Sequence, residues 1–124
     1  MTRTVLIVDD SGVGRKLVRR CLEFAGLAGS EFLEAENGAK ALELLEAGSV
    51  DVLVTDLNMP VMDGVELLRA ITEIGTLDKL IRIVMTSTVS EALKKDLEAH
   101  RVAAYVTKPV SPTTFAKVLA PLLS

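Results

Sequence analysis

Five short apolar runs, each followed by a segment of helical periodicity, constrain this chain more than anything else in its sequence. The runs are TVLIV (4–8), EFLEAE (31–36), DVLVTD (51–56), LIRIVMTS (80–87) and AAYVTK (103–108). TVLIV is β-branched and apolar throughout, as expected for a strand covered on both faces. EFLEAE alternates and predicts a strand nearer an edge. The intervening segments predict helices over 13–26, 37–48, 64–74, 90–100 and 111–123. In the first helix Val13, Leu17, Cys21, Leu22 and Ala25 share one face, with Arg15, Lys16, Arg19 and Arg20 largely opposite as a solvated face. Asn37 opens the second helix, Asp63-Gly64 reads as a turn and helix start, and Ser90 and Ser111 are N-caps. Pro112 suits a first turn, Gly26 and Gly48 suit helix ends, and Pro121 is expected to end the last helix early. Five strand–helix units in this order predict an α/β fold, an open parallel sheet with helices on both faces. Sites in such sheets lie at the carboxyl ends of the strands.

Composition narrows the function classes. With 124 residues, about half of them apolar, the chain is expected to be one domain with its own core. Lys and Arg number 14 against 17 Asp and Glu, a net charge of -3 that argues against a nucleic-acid partner. One Tyr and no Trp leave no stacking platform for bases. The single cysteine, Cys21, reads as a buried apolar residue, and His100 as a surface residue near a helix end. The apolar runs are too short to span a bilayer, and acids follow where a signal peptide would stay apolar. A cytoplasmic domain with no membrane partner is the expectation.

The strand ends carry the chemistry. The first delivers Asp9 and Asp10, the third Asp56, the fourth Thr86 and Ser87, and the fifth Lys108 followed by Pro109. Three carboxylates about 4 Å apart would repel by roughly 4 kcal/mol per pair at an effective dielectric near 20. A divalent cation resolves the conflict, and an all-oxygen donor set suits Mg²⁺ rather than zinc. The only histidine, His100, lies at the far end of a helix, which excludes a Ser-His-Asp site. A carboxylate can itself be the nucleophile and form an aspartyl phosphate, with Mg²⁺ and a lysine stabilising the transfer.

The stretches LIVDDS, TDLNMPVMDG, VMTS and AAYVTKPV, in that order, resemble the response-regulator receiver domain family, most closely its single-domain chemotaxis (CheY-like) members. The resemblance spans essentially all of residues 1–124. It implies a flavodoxin-like (βα)5 fold with strand order 2-1-3-4-5. It implies that Asp56 accepts a phosphoryl group from a histidine kinase. Asp10 and Asp56 would bind Mg²⁺ directly with the backbone carbonyl of Asn58, and Asp9 through a water. Lys108 would contact the phosphoryl group, Thr86 would report its arrival, and Tyr105 would be the aromatic switch partner. Lys108-Pro109 would be a cis bond. The implied role is a monomeric two-component signalling protein that catalyses only its own phosphorylation and dephosphorylation. Its target would dock on the fourth helix, fifth strand and fifth helix. The chain stops after the fifth helix, so output is expected by protein contact, in chemotaxis, or by passing the phosphoryl group along a phosphorelay.

Several residues depart from the family pattern. Arg101 stands where a glycine is expected in a left-handed turn before the fifth strand. Gly12 and Gly14 weaken the start of the first helix, and Asn58 and Thr88 occupy variable positions beside the phosphate. A rival of another class is a Mg²⁺-dependent phosphohydrolase with an aspartyl nucleophile, which usually shows Asp-x-Asp after the first strand; here the residues are Asp9-Asp10-Ser11. A second rival, an interaction module with a relic site, is opposed by the complete set of acids with Thr86 and Lys108.

Overall fold

The structure is a computed structural model and describes residues 3–123. The chain ends of the 1–124 domain assignment, residues 1, 2 and 124, lie outside the described residues. Five strands form the sheet: β1 (Thr4–Val8), β2 (Glu31–Ala35), β3 (Val52–Asp56), β4 (Ile81–Thr86) and β5 (Val102–Thr107). All neighbouring pairs are parallel and the order is β2-β1-β3-β4-β5. The helices are α1 (Gly12–Leu22), α2 (Gly38–Glu46), α3 (Gly64–Ile74), α4 (Glu91–Asp96) and α5 (Pro112–Leu123).

Strand parity explains the apolar runs. Odd residues of β1, even ones of β3 and odd ones of β4 (Val5, Ile7, Val52, Val54, Ile83, Met85) pack against Val18 and Leu22 of α1 and Phe115 and Leu119 of α5. Their neighbours Leu6, Val8, Leu53 and Val84 face Ala41 and Leu45 of α2 and Leu67, Leu68 and Ile71 of α3. The side chains of β1, β3 and β4 are therefore covered whichever way they point, and each fully buried apolar one contributes about 1.5–3 kcal/mol. β2 and β5 close the two edges and are more exposed than the central strands, with one buried residue each, Ala35 and Val106.

The expected caps form. The side chains of Asn37 and Ser90 accept from the third helical N–H, as does that of Ser111 from Thr114 N; Ser11, not among the expected caps, does the same for α1, which starts at Gly12. Asp63 and Glu66 form a reciprocal capping box at α3.

Four expectations are corrected. The first helix leaves α geometry after Leu22 in a π-helical turn, Glu23–Leu27, with Gly26 at φ 124°. Its buried face is Val18, Cys21 and Leu22, whereas Val13 is 81 % and Leu17 is 51 % exposed, because this end of α1 overhangs the carboxyl edge of the sheet. The fourth helix is only Glu91–Asp96, followed by a 3-10 turn at Glu98–His100. Arg101 closes that turn in the left-handed conformation at φ 55°. The family's turn is thus kept with a non-glycine residue, whose side chain pairs with Asp78 at 3.2 Å. Finally, α5 runs through Pro121 to Leu123. Proline removes one backbone donor, a modest loss in a last turn whose Leu122 and Leu123 pack on the core.

Candidate functional site

At the carboxyl rim β1 runs into Asp9 and Asp10, β3 ends in Asp56, β4 ends in Thr86, and β5 leads to Lys108. Asp9, Asp10 and Asp56 each present a carboxylate oxygen, and all three oxygens lie within 4.8 Å of one another. Asp9 and Asp56 are buried, whereas Asp10 faces solvent. This all-oxygen set fits a hard divalent cation such as Mg²⁺, and neither histidine nor cysteine belongs to it.

The two oxygens of Asp56 have different partners. Oδ1 accepts from the backbone N–H of Leu57 at 2.7 Å and of Asn58 at 3.4 Å. Oδ2 accepts from Lys108 Nζ at 2.6 Å. The Asn58 side chain is exposed, and the structure gives its carbonyl no further role. Lys108 is tied to the neighbouring strand, since its backbone N–H donates to Thr86 O at 2.8 Å. The Lys108–Pro109 bond is cis.

Asp9 is held by Ser11 N–H at 2.9 Å to Oδ1. Burial pushes its carboxyl above the ordinary carboxylate value; the Ser11 bond and Lys108 oppose this, while Asp56 and Asp10 add to it. Without metal, a raised folded pKa stabilises the fold at acidic pH, and that contribution is lost as pH rises through the raised value. Cation binding needs the ionised carboxylate, so affinity falls with pH in the same window.

Thr86 and Tyr105 share a sheet face, as the pairings Val84↔Tyr105 and Thr86↔Thr107 require. Thr86 Oγ1 donates to Thr88 O and accepts from Thr88 N, both at 3.3 Å. Tyr105 is half-buried against the α2–α3 core cluster, and burial raises its phenol pKa.

Three residues at the site carry no signal in the strand-end pattern. Arg15, assigned to a solvated face, donates from Nη1 to Asp9 O at 2.7 Å and pairs with Glu34 at 2.7 Å. It fixes the carbonyl of a site residue from α1. A Cβ on Gly14 would stand 2.8 Å from Asp9 Oδ2. A Cβ on Gly64 would stand 2.4 Å from Asp56 O and 2.8 Å from Leu57 Cα. Only glycine lets α1 and α3 approach the acids this closely. His100, expected at the surface, is half-buried, with Nδ1 2.7 Å from Thr72 Oγ1.

Fold and rim together define a doubly wound α/β domain with a divalent-cation type of acidic cluster facing a lysine at the strand ends. The profile of the response regulator receiver domain matches residues 5–120, and the chain belongs to that family. It is 35 % identical over 105 residues to the chemotaxis protein CheY of Pseudomonas aeruginosa, covering 85 % of this chain and 83 % of that one. It is 38 % identical over 116 residues to a protein-glutamate methylesterase of Paramagnetospirillum magneticum, covering 90 % of this chain but only 29 % of that protein. The structure of Vibrio cholerae CheY4 superposes with a TM-score of 0.87 at 31 % identity, covering 99 % of this chain and all of the other. The chain is a phosphorylation-activated response regulator of two-component signalling. Proteins of this family interact with histidine kinases or phosphotransfer proteins and with downstream targets. Among the described residues no helix is long and apolar enough to cross a membrane.

Proposed function

We propose that Asp56 is the phosphoacceptor of a cytoplasmic chemotaxis regulator. The observation that carries this is the 2.6 Å contact between Asp56 Oδ2 and Lys108 Nζ beside the three-carboxylate cluster. A carboxylate oxygen of Asp56 bonds to the phosphorus of a partner's phosphohistidine as the N–P bond breaks, the electron pair leaving with the imidazole nitrogen. Lys108 is placed to meet the charge on the phosphoryl oxygens, and Leu57 N–H orients the carboxylate. Asp10, Asp56 and the Asn58 carbonyl would hold Mg²⁺, with Asp9 reaching it through a water. Bound there, Mg²⁺ supplies positive charge against the carboxylates and the incoming group. The only chemistry proposed for the chain is its own phosphorylation and dephosphorylation.

The chemotaxis assignment is supported by the likeness to CheY of Pseudomonas aeruginosa and CheY4 of Vibrio cholerae. The comparisons lend no support to the phosphohydrolase alternative. Incubation with Mg²⁺ and a phosphohistidine donor is expected to give an acid-stable, base-labile adduct. Failure to form one refutes the reading. A pull-down in both phosphorylation states separates a motor target from a phosphorelay partner.

The metal assignment has its own test. Asp10 is exposed, so Asp10→Ala is expected to leave the unfolding midpoint unchanged while weakening Mg²⁺ on the order of tenfold or more. Mg²⁺ titration checks it, and an unchanged affinity removes Asp10 from the ligand set. The parent's affinity is expected to fall as acid protonates Asp9.

The proposed switch starts from Thr86, whose hydroxyl is spent on Thr88 in this structure. A phosphoryl oxygen offers that hydroxyl a charge-assisted bond, shorter and stronger than the neutral one. Moving Thr86 toward Asp56 vacates space for the Tyr105 ring and alters the α4–β5–α5 surface offered to the target. A ligand shifts such an equilibrium only by its differential affinity for the two states. Thr86→Ala is therefore expected to take up phosphate normally while the phosphorylated-to-unphosphorylated ratio of target affinities drops. An unchanged ratio would send the signal by another route.

A further inference from the structure

Arg82 interrupts the apolar run of β4 on the face that carries Val84 and Thr86, at the opposite end of the sheet from the acidic rim. It is only 4 % exposed. Nη2 donates to Leu77 O at 3.0 Å and Nη1 to Leu80 O at 3.4 Å. Nε is buried with no acceptor. Among the described residues no carboxylate pairs with this guanidinium. The nearby Asp78 gives its Oδ1 to Arg101 instead, at 3.2 Å. Arg82 also lines a cavity of about 120 Å³, together with Thr72, Gly75, Asp78, Ala99 and Arg101.

A buried charge without a counterion is costly, and a water could satisfy Nε–H but not the charge. Burial and Arg101 both act against the Arg82 charge, with Asp78 in its favour. Thr72 cannot supply the answer, because its hydroxyl is shared between Leu68 O and His100. Two guanidinium groups thus border a small cavity whose wall at Gly75 and Ala99 carries little side-chain bulk. Arginine's planar fork matches oxyanions, and the cavity is well below the size that takes a drug-sized ligand.

We propose that this cavity, at the amino end of β4 between α3 and the turn before β5, binds a small free oxyanion of the phosphate or sulfate type between Arg82 and Arg101. Arg101 exchanges Asp78 for the anion when it binds. The site is separate from the phosphorylation rim and independent of it.

The experiment is a titration of the unphosphorylated, Mg²⁺-free full chain with inorganic phosphate, followed by ¹H–¹⁵N NMR against sodium chloride at matched ionic strength. Saturable shifts are expected at the amides of Gly75, Ala99 and Arg101 and at Arg82 Nε–H. Shifts confined to residues around Lys108 overturn the proposal. Arg82→Met keeps the apolar stem and should abolish the response, so equal affinity in this variant also overturns it. Should Arg82→Met fail to fold, Arg101→Gly decides, since glycine suits the left-handed turn at φ 55°. It is expected to weaken phosphate about tenfold by removing a charged donor. Unchanged affinity there refutes the site. Asp78→Asn removes the competing carboxylate and should tighten binding, and weakened binding would overturn the exchange of Asp78 for the anion.

Discussion

Replacing Asp56 with Asn is expected to abolish the phosphoryl adduct while leaving the fold in place. The amide keeps the size of the carboxylate and an oxygen that can accept from Leu57 N–H, the 2.7 Å bond that orients the side chain. It lacks the anionic oxygen that would attack phosphorus and the charge that holds Lys108 at 2.6 Å. Covalent uptake at this position is therefore lost outright rather than slowed, because no other atom of the residue can form the acyl phosphate. Parent and Asp56→Asn are incubated with Mg²⁺ and acetyl phosphate, and intact mass followed by peptide mapping reads the result. The parent is expected to carry one adduct on the β3 peptide and the variant none there. An adduct mapped to Asp9 or Asp10 in the parent would remove Asp56 from its role. Slow labelling of those acids in the variant alone would be consistent with it, since they share the same rim.

The second large effect concerns a residue with no functional group. Gly64→Ala adds a Cβ at 2.4 Å from Asp56 O and 2.8 Å from Leu57 Cα, both backbone atoms that cannot rotate away. Alanine is worth about 1 kcal/mol over glycine inside a helix, and at the first position of α3 the gain is smaller. Overpacking against fixed backbone costs more, about 1–3 kcal/mol. Net destabilisation of about 2 kcal/mol is expected, and relief of the clash must push α3 off the end of β3. That displacement would move the proposed acceptor, so phosphorylation is expected to slow together with the loss of stability. Gly12→Ala is the control. Its Cβ would meet only Arg15 Nη2 at 3.5 Å, an ordinary contact with a flexible side chain. Denaturant midpoints of the two variants check the contrast, and equal midpoints would show that the approach of α3 to Asp56 is not tight.

Much was determined by the sequence alone, because it depends on local periodicity and residue type. The runs Val5–Val8 and Val52–Val54 are apolar on both parities, as a sheet covered on both faces requires. Asn37, Asp63, Ser90 and Ser111 sit where helix N-termini need an acceptor, so those four helix starts were legible. Acids at the ends of strands one and three, with Lys108 at the end of the fifth, converge once the strands are parallel. Strand order came from family resemblance, since short parallel runs do not encode which neighbour each will choose.

The tertiary structure alone decided what depends on approach through space. Asp9 and Asp10 are adjacent and chemically identical, yet one is buried under α1 and the other faces water, because the chain turns between them. Gly14 and Gly64 look like weak helix formers until the helices they begin are seen pressed against Asp9 and Asp56. Arg15 belongs by periodicity to a solvated face, but the first turn of α1 brings it back to the Asp9 carbonyl. Helix periodicity carried through Glu98–His100, whereas the left-handed Arg101 and the register of β5 stop the α-helix at Asp96. Arg82 stands out in its apolar run, but its burial without a carboxylate follows only from Asp78 having turned to Arg101. Periodicity assigns a face to each residue; which groups meet across two faces is settled by packing, where one Cβ or one ion pair changes the outcome.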